Sequence, residues 1–290
     1  MKRKKKCDMM EVFYNDKGEI VLKPMKIKNS INMRRVCMKF INFVVFLVIL
    51  SFMNMSCVHI KGNGVLATNE RILSLFEKVH ISGNANVRFH TGTEYRAVIT
   101  IDSNLEEYVV LEIKNNVLEI YLKKGRSYSY TNFTVDIYSP FISSISISGS
   151  GSFEGIDKII TRTFDSSISG SGKISGDIES ESVSIRISGS GEMVKSIICN
   201  NLSVEISGNG NIFLTGTGNL VDTRISGSGN FNGMEFQCNN VNARINGSGN
   251  INIWAIENIT ANISGAGNIR YRGNPKINYS GSGSGKIISE

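Results

Sequence analysis

The residue types that could do chemistry in this 290-residue chain are few, and their spacing limits what they can be. Cleaving a glycosidic bond takes two carboxyl groups at a set separation, and holding calcium takes a cluster of oxygens. Asp165, Asp177, Glu179, Glu181, Glu192, Glu205 and Asp222 are the candidates, mostly at outward positions between apolar neighbours. A solvated face accounts for that placement. Glu179 and Glu181 alternate on one predicted strand and make the best pair. The histidines are His59, His80 and His90; the last two flank one short strand and read as a surface pair rather than a metal site. Gly-x-Gly runs recur, but no helix pattern follows them to offer a phosphate its N-terminus. A calcium-binding repeat would read G-G-x-G-x-D, and here Phe, Ile or Met stands at the aspartate position. The residues therefore point to no catalytic group, metal or cofactor.

The elements that must position these side chains come from a repeat. ISGSGSF begins at Ile147, ISGSGKI at Ile168, ISGSGEM at Ile187 and ISGNGNI at Ile206. ISGSGNF follows at Ile225, INGSGNI at Ile245 and ISGAGNI at Ile263, with intervals of 18 to 21 residues. YSGSGSGKI from Tyr279 reads as a further copy with a two-residue insertion, and ISGNANV from Ile81 as a divergent early relative. A near-constant interval is the signature of a solenoid. Ahead of each phrase, apolar and polar residues alternate, as in Val183, Ile185, Ile187 against Ser184, Arg186. That period of two makes a strand with one buried face. The glycines then supply corners where positive φ and close backbone approach are needed, and the Ile before and the Ile, Phe or Met after point inward. The expected fold is all-β: a single-stranded parallel β-helix with turns of about 19 residues, right-handed by the general rule for parallel crossovers. Cys199 and Cys238 fall at one phase of the coil two turns apart, about 10 Å along the axis, and are expected as free thiols.

Charge divides the chain. Residues 1–56 carry 12 Lys/Arg against 4 Asp/Glu, whereas residues 57–290 carry 20 against 21. A nucleic-acid reader would concentrate its cations on the folded body, so nucleic acid is excluded as a partner. Met33-Arg34-Arg35 and Lys39 precede the apolar run from Phe40 to Met55, which ends at Ser56-Cys57. This is the layout of a secretory signal, and the cysteine makes it look like a lipoprotein type in which Cys57 is lipidated and anchors the chain in a membrane; an uncleaved anchor helix and a plain secretory signal are the alternatives. The leader would span 33–56, behind an extension 1–32 that is mis-assigned or disordered, with translation starting at Met33 or Met38. Residues 57–75 would be a tether, 76–146 irregular opening turns with a turn at Asn115-Asn116, and 147–290 the regular repeats. Val58-His59-Ile60-Lys61 has no early acidic cluster, which leans toward an outer-membrane lipoprotein facing the periplasm.

The order of these features resembles a known family. FEKVHISGNANVRFHTGTEYRAVITIDSNLEEYVVLEIKNNVLEIYLKKG, then VDIYSPFISSISISGSGSF, the Gly-Ser-Gly ladder, and the closing GNIRYRGNPKINYSGSGSGKI is similar to the auto-transporter adhesin head GIN domain. The resemblance covers about residues 76–290 and implies a β-helical secreted domain with no catalytic residues to carry over. Adhesion or scaffolding at the cell envelope, toward a glycan or a cell-surface protein, is the expected role. A glycan-active β-helix enzyme and a periplasmic partner of a signalling system are the alternatives. Tyr128 and Tyr130 in SYSYTNF, with Trp254, are the candidates for stacking on a sugar. The rows Ser148, Ser169, Ser188, Ser207, Ser226 and Asn211, Asn230, Asn250, Asn268 could form a binding surface, but corner chemistry explains them first.

Overall fold

The computed structural model describes residues 10–14, 20–24 and 58–290, which fall into two units, 1–57 and 58–290. In the first unit, Met10–Tyr14 and Ile20–Pro24 pair as an antiparallel hairpin inside the stretch expected to be a disordered extension. The leader 33–56 and Cys57 lie outside the described residues.

The second unit is the expected parallel coil. Lys78–Gly83, Ser144–Gly149 and Ile159–Gly170 lie side by side in parallel register, and each later coil continues the same column. Gly83, Gly149, Gly170, Gly189, Gly208, Gly227, Gly247 and Gly265 stack at one corner, all at positive φ. The isoleucines before the corner, from Ile81 to Ile263, form one buried column. Phe153, Ile174, Met193, Ile212, Phe231, Ile251 and Ile269 form a second buried column beyond it. At roughly 25 cal/mol per Å² of apolar surface, these ladders are the main stabilising term. Between them run outward Ser, Arg and Glu, so each arm keeps one wet face.

Three expectations need correction. The last copy starts at Gly281, not Tyr279: Ile263 pairs with Gly281 and Ile269 with Ile287, an 18-residue step with no insertion. Glycine replaces the inward isoleucine there, and the Tyr279 hydroxyl donates to the Gly285 carbonyl, 3.1 Å away, laying the side chain beside the missing position. The tether 57–75 is instead largely paired. Val58–Lys61 runs parallel to Arg126–Ser129, and Leu66–Ile72 runs antiparallel to Arg96–Asp102. Its residues are mostly exposed, so it carries no strong apolar alternation to signal a strand. Finally, only part of 76–146 coils. Lys78–Gly83 and Asn86–Thr91 make the first turn, but Arg96–Asp102 is antiparallel to Phe133–Ser139. Val109–Lys114 and Val117–Leu122 form a hairpin whose Asn115 and Asn116 both have positive φ, as the predicted turn requires.

Candidate functional site

The corner is where sequence and surface meet. In the coils whose corners run from Gly149 to Gly265, the residue after the corner glycine donates its N–H to the carbonyl of the glycine one coil below. Ser150 donates to Gly83, Ser171 to Gly149 and Ser190 to Gly170, at 2.8–2.9 Å. The asparagines just beyond do similar work. Asn230 donates to the Asn211 side chain and Asn250 to that of Asn230, while the Asn250 and Asn268 side chains accept from the N–H of Asn268 and Lys286. The asparagine row is thus committed to holding coils together. The serine row Ser148, Ser169, Ser188, Ser207 and Ser226 stays outward and exposed on one registered face.

The carboxylates lie along that solvated surface. Glu179 pairs with Lys158 at 3.1 Å and Glu181 with Arg162 at 3.2 Å, in a shallow recess also lined by Ile160, Ile198 and Thr217. Asp165 faces Arg186, Asp222 faces Arg224 and Arg244, and Glu192 pairs with Lys173. Asp177 and Glu205 are outward and exposed. Among the described residues no three His, Cys, Asp or Glu side chains gather as a metal site. His80 and His90 have separate partners: His80 meets Ser146 at 2.6 Å, and His90 meets Asp136 at 3.1 Å. Arg88 also binds Asp136, at 2.6 Å. Burial pushes that carboxyl up, but the hydrogen bonds from Arg88 and His90 outweigh it and hold the group below its ordinary range. Cys199 and Cys238 are buried free thiols, pushed by burial up to about 11 and about 12.

The three predicted aromatics are not brought together. Trp254 is half-buried late in the ladder, with the Arg272 guanidinium of the next coil 4.5 Å above its ring. Tyr128 and Tyr130 lie at the opposite end, about 30 Å away at ~4.8 Å per coil. Tyr130 packs edge-on against Phe133, its hydroxyl donates to the Asn84 carbonyl, and burial raises its pKa. Tyr128 donates to the Lys123 carbonyl and lies 5.6 Å from the Tyr108 ring.

Tyr128 also lines a cleft of about 400 Å³ whose other residues the sequence reading did not single out. Its walls are Ser82-Gly83-Asn84, Tyr121, Lys123, Lys124, Arg126 and Phe133. The hairpin strand Val117–Leu122 pairs with the first coil only as far as Ile120 opposite Ile81, so the corner at Gly83 has no coil below it. The loop 123–126 hangs across that gap. Arg126 lies 4.9 Å and Lys123 5.7 Å from the Tyr108 ring, and Lys124 lies 5.9 Å from that of Tyr121. The available signal was LKKGRSYSY, where three cations around a glycine precede two tyrosines.

Within the core, Lys195 was also missed. It points inward between Gly176 and Leu214; among the described residues its ammonium has no hydrogen-bond partner, and it lies 5.1 Å from the Phe164 ring. Burial lowers its pKa to about 7.

Comparison with known proteins places this architecture. Residues 75–196 and 193–275 match the family model described as "putative auto-transporter adhesin, head GIN domain". A crystal structure from Parabacteroides distasonis, described as a "putative lipid binding protein", is similar at 28% identity and a TM-score of 0.77. The match covers 80% of this chain and 99% of that one. A "putative adhesin" from Parabacteroides merdae is similar at 26% identity and a TM-score of 0.77, over 81% of this chain and 100% of that one. A third, from Bacteroides fragilis and also called a "putative adhesin", has 25% identity and a TM-score of 0.63, over 80% and 100%. No curated protein matches the chain.

Proposed function

Because the chain belongs to the auto-transporter adhesin head GIN domain family, we propose that it is a non-enzymatic binding protein of the cell envelope. It is held to the outer membrane by lipid on Cys57 and contacts a glycan or a cell-surface protein through its coil. The observation that carries the reading is the way the ladder uses its polar side chains. Glu179 and Glu181, the best carboxylate pair, are each tied to a separate cation on a shallow exposed surface. No acid and base converge there on an enclosed substrate, as catalysis of glycoside cleavage would need. The outward serine row and the alternating Arg186, Glu205 and Arg224 offer instead a long registered face of hydrogen-bonding groups.

The test is binding of the soluble unit 58–290 to whole cells and to an array of glycans. Specific retention on either supports the adhesin reading; uniform absence of binding on both rejects it. The anchor is tested separately, by fractionating cells that make the full chain or its Cys57→Ala form. The parent chain belongs in the membrane fraction and the variant outside it.

A further inference from the structure

We propose that the cleft under the first corner is a binding site for a carboxylated sugar, with the carboxylate seated between the Asn84 N–H and the cations of the facing loop. The inference rests on the adhesin reading and names the ligand class of one site within it.

The missing coil leaves a donor behind. At the seven later corners from Gly149 to Gly265, the N–H that follows the glycine donates to a glycine carbonyl one coil below, as Ser150 does to Gly83. Asn84 occupies the same register in the first coil, since Gly83 pairs with Gly149. Among the described residues its N–H has no acceptor, and Asn84 is exposed in the wall of the cleft. Gly83 has a φ of 99°, the left-handed conformation of the corners above it. A backbone N–H that the fold leaves unpaired beside a cleft can receive an anion.

The rest of the cleft selects among acceptors. Lys123, Lys124 and Arg126 line it, and none is in an ion pair with a carboxylate among the described residues. Three unneutralised cations beside the Asn84 N–H favour an anion over a neutral carbonyl. The guanidinium fork of Arg126 matches a planar carboxylate in two-point contact. Tyr121 and Tyr128 contribute ring surface to the same walls, which suits the apolar face of a pyranose carrying that carboxylate. A volume of about 400 Å³ lies within the ordinary range for small-ligand sites. The ligand would stand where a coil would otherwise continue.

The experiment titrates unit 58–290 with trigalacturonic acid, its methyl ester, inorganic sulfate and phosphatidylglycerol vesicles, following backbone amide resonances. The expected result is saturable movement of the Asn84 amide with the acid and not with its ester. Lys124→Gln and Arg126→Gln should each weaken binding about tenfold, with the remaining amide spectrum unchanged to show that the fold survives. Equal response to acid and ester overturns the proposal, as does movement of other amides alone. Saturation by sulfate or by vesicles in preference to the sugar acid overturns it too. If cells or arrayed glycans are bound but Lys124→Gln and Arg126→Gln change nothing, the adhesin reading stands and this site falls. If nothing binds in any arm, both fall.

Discussion

The opening segment and the regular ladder meet the same problem, a charge without water, in opposite ways. In the opening segment Asp102 has no solvent-accessible surface, yet its carboxylate accepts from the N–H of Gly64 at 2.6 Å, the N–H of Thr131 at 2.7 Å and the Thr131 hydroxyl at 3.1 Å. In the ladder Lys195 is nearly as deeply buried, and among the described residues its ammonium has no hydrogen-bond partner, only the Phe164 ring 5.1 Å away. The difference follows from repetition. A coil bonded to neighbours above and below has already spent its backbone donors and acceptors, so none faces the interior. An irregular loop has spare groups to turn inward. Regularity gives the ladder its apolar columns and close corners; irregularity gives the opening its polar knots and its cleft.

The largest effect expected from this contrast is at Lys195. Its pKa falls from an ordinary 10.5 to about 7, so between those values the unfolded chain binds a proton that the folded chain does not. Stability therefore rises with pH through that window, by about 1.4 kcal/mol per unit, and is flat below it. Lys195→Met is one atom shorter and removes the charge. It should stabilise the unit at pH 7 by on the order of 5 kcal/mol, with the gap to the parent closing toward pH 10. Urea unfolding of both proteins at pH 7, 8 and 9 gives the slope as the difference between them, which cancels the Cys199 and Cys238 thiols that ionise in either unfolded chain near pH 9. Parallel curves at all three values would show that the ammonium has found a partner.

Next in size is a corner within the ladder. A Cβ on Gly229 would stand 2.5 Å from the Gly210 carbonyl oxygen and 2.5 Å from Ile206 Cγ2. Backbone and a buried column cannot both retreat, so Gly229→Ala should cost about 3 kcal/mol, the upper part of the usual overpacking range. Thermal unfolding gives the number, and a loss under about 1 kcal/mol would mean that the coils slide apart easily.

These corners also explain what the sequence could and could not disclose. The ladder was legible because period-two alternation and a fixed interval coincide with glycines that packing makes obligatory. The same obligation explains ISGNANV. Gly151 is walled by the Ala85 carbonyl at 2.7 Å and Ile81 at 3.1 Å, whereas Ala85 has no coil beneath it to exclude its methyl. A substitution that looked like divergence marks the end of the stack. The final copy misled for the converse reason: Tyr279 mimics the apolar residue before a corner, while the register puts Gly281 there. The strands at 58–72 were hidden because backbone pairing and the Asp102 carboxylate hold them, with little apolar pattern of their own. The cleft was hidden because Ser82-Gly83-Asn84 and Lys123 to Arg126 are distant in sequence and joined only where a coil is absent.

A smaller and local effect is expected at Asp102. Its pKa is held down chiefly by the Thr131 N–H, against burial, with the Gly64 N–H adding to the effect. A lowered carboxyl stabilises above its ordinary range and loses that contribution as pH falls through the folded value. Asp102→Asn presents an amide hydrogen to donors that need an acceptor, so one of the bonds to Gly64 or Thr131 must break. Hydrogen exchange should speed up in Val58–Lys61 and Arg126–Ser129 and stay unchanged in the ladder. Acidifying the parent should reproduce the same local opening. Protection lost evenly across all coils would make Asp102 part of one cooperative unit with the ladder and remove the distinction between the regions.

The smallest effect tests the same distinction from the other side. Ala85 holds the position that is Gly151, Gly172, Gly191 and Gly210 in the coils above. Ala85→Gly makes the first corner match the rest, so if glycine were favoured at this position for its own sake the change would stabilise. The physical account predicts the opposite. With no coil below, the methyl of Ala85 is buried without a clash, and glycine would forfeit that contact and gain backbone freedom in the unfolded chain. The expected loss is about 1 kcal/mol, against about 3 kcal/mol for the reverse substitution at Gly229. Measured side by side by urea unfolding, the pair should both destabilise although they are chemical opposites. A stabilising Ala85→Gly would mean that the corner glycines answer to backbone conformation rather than to the coil beneath them.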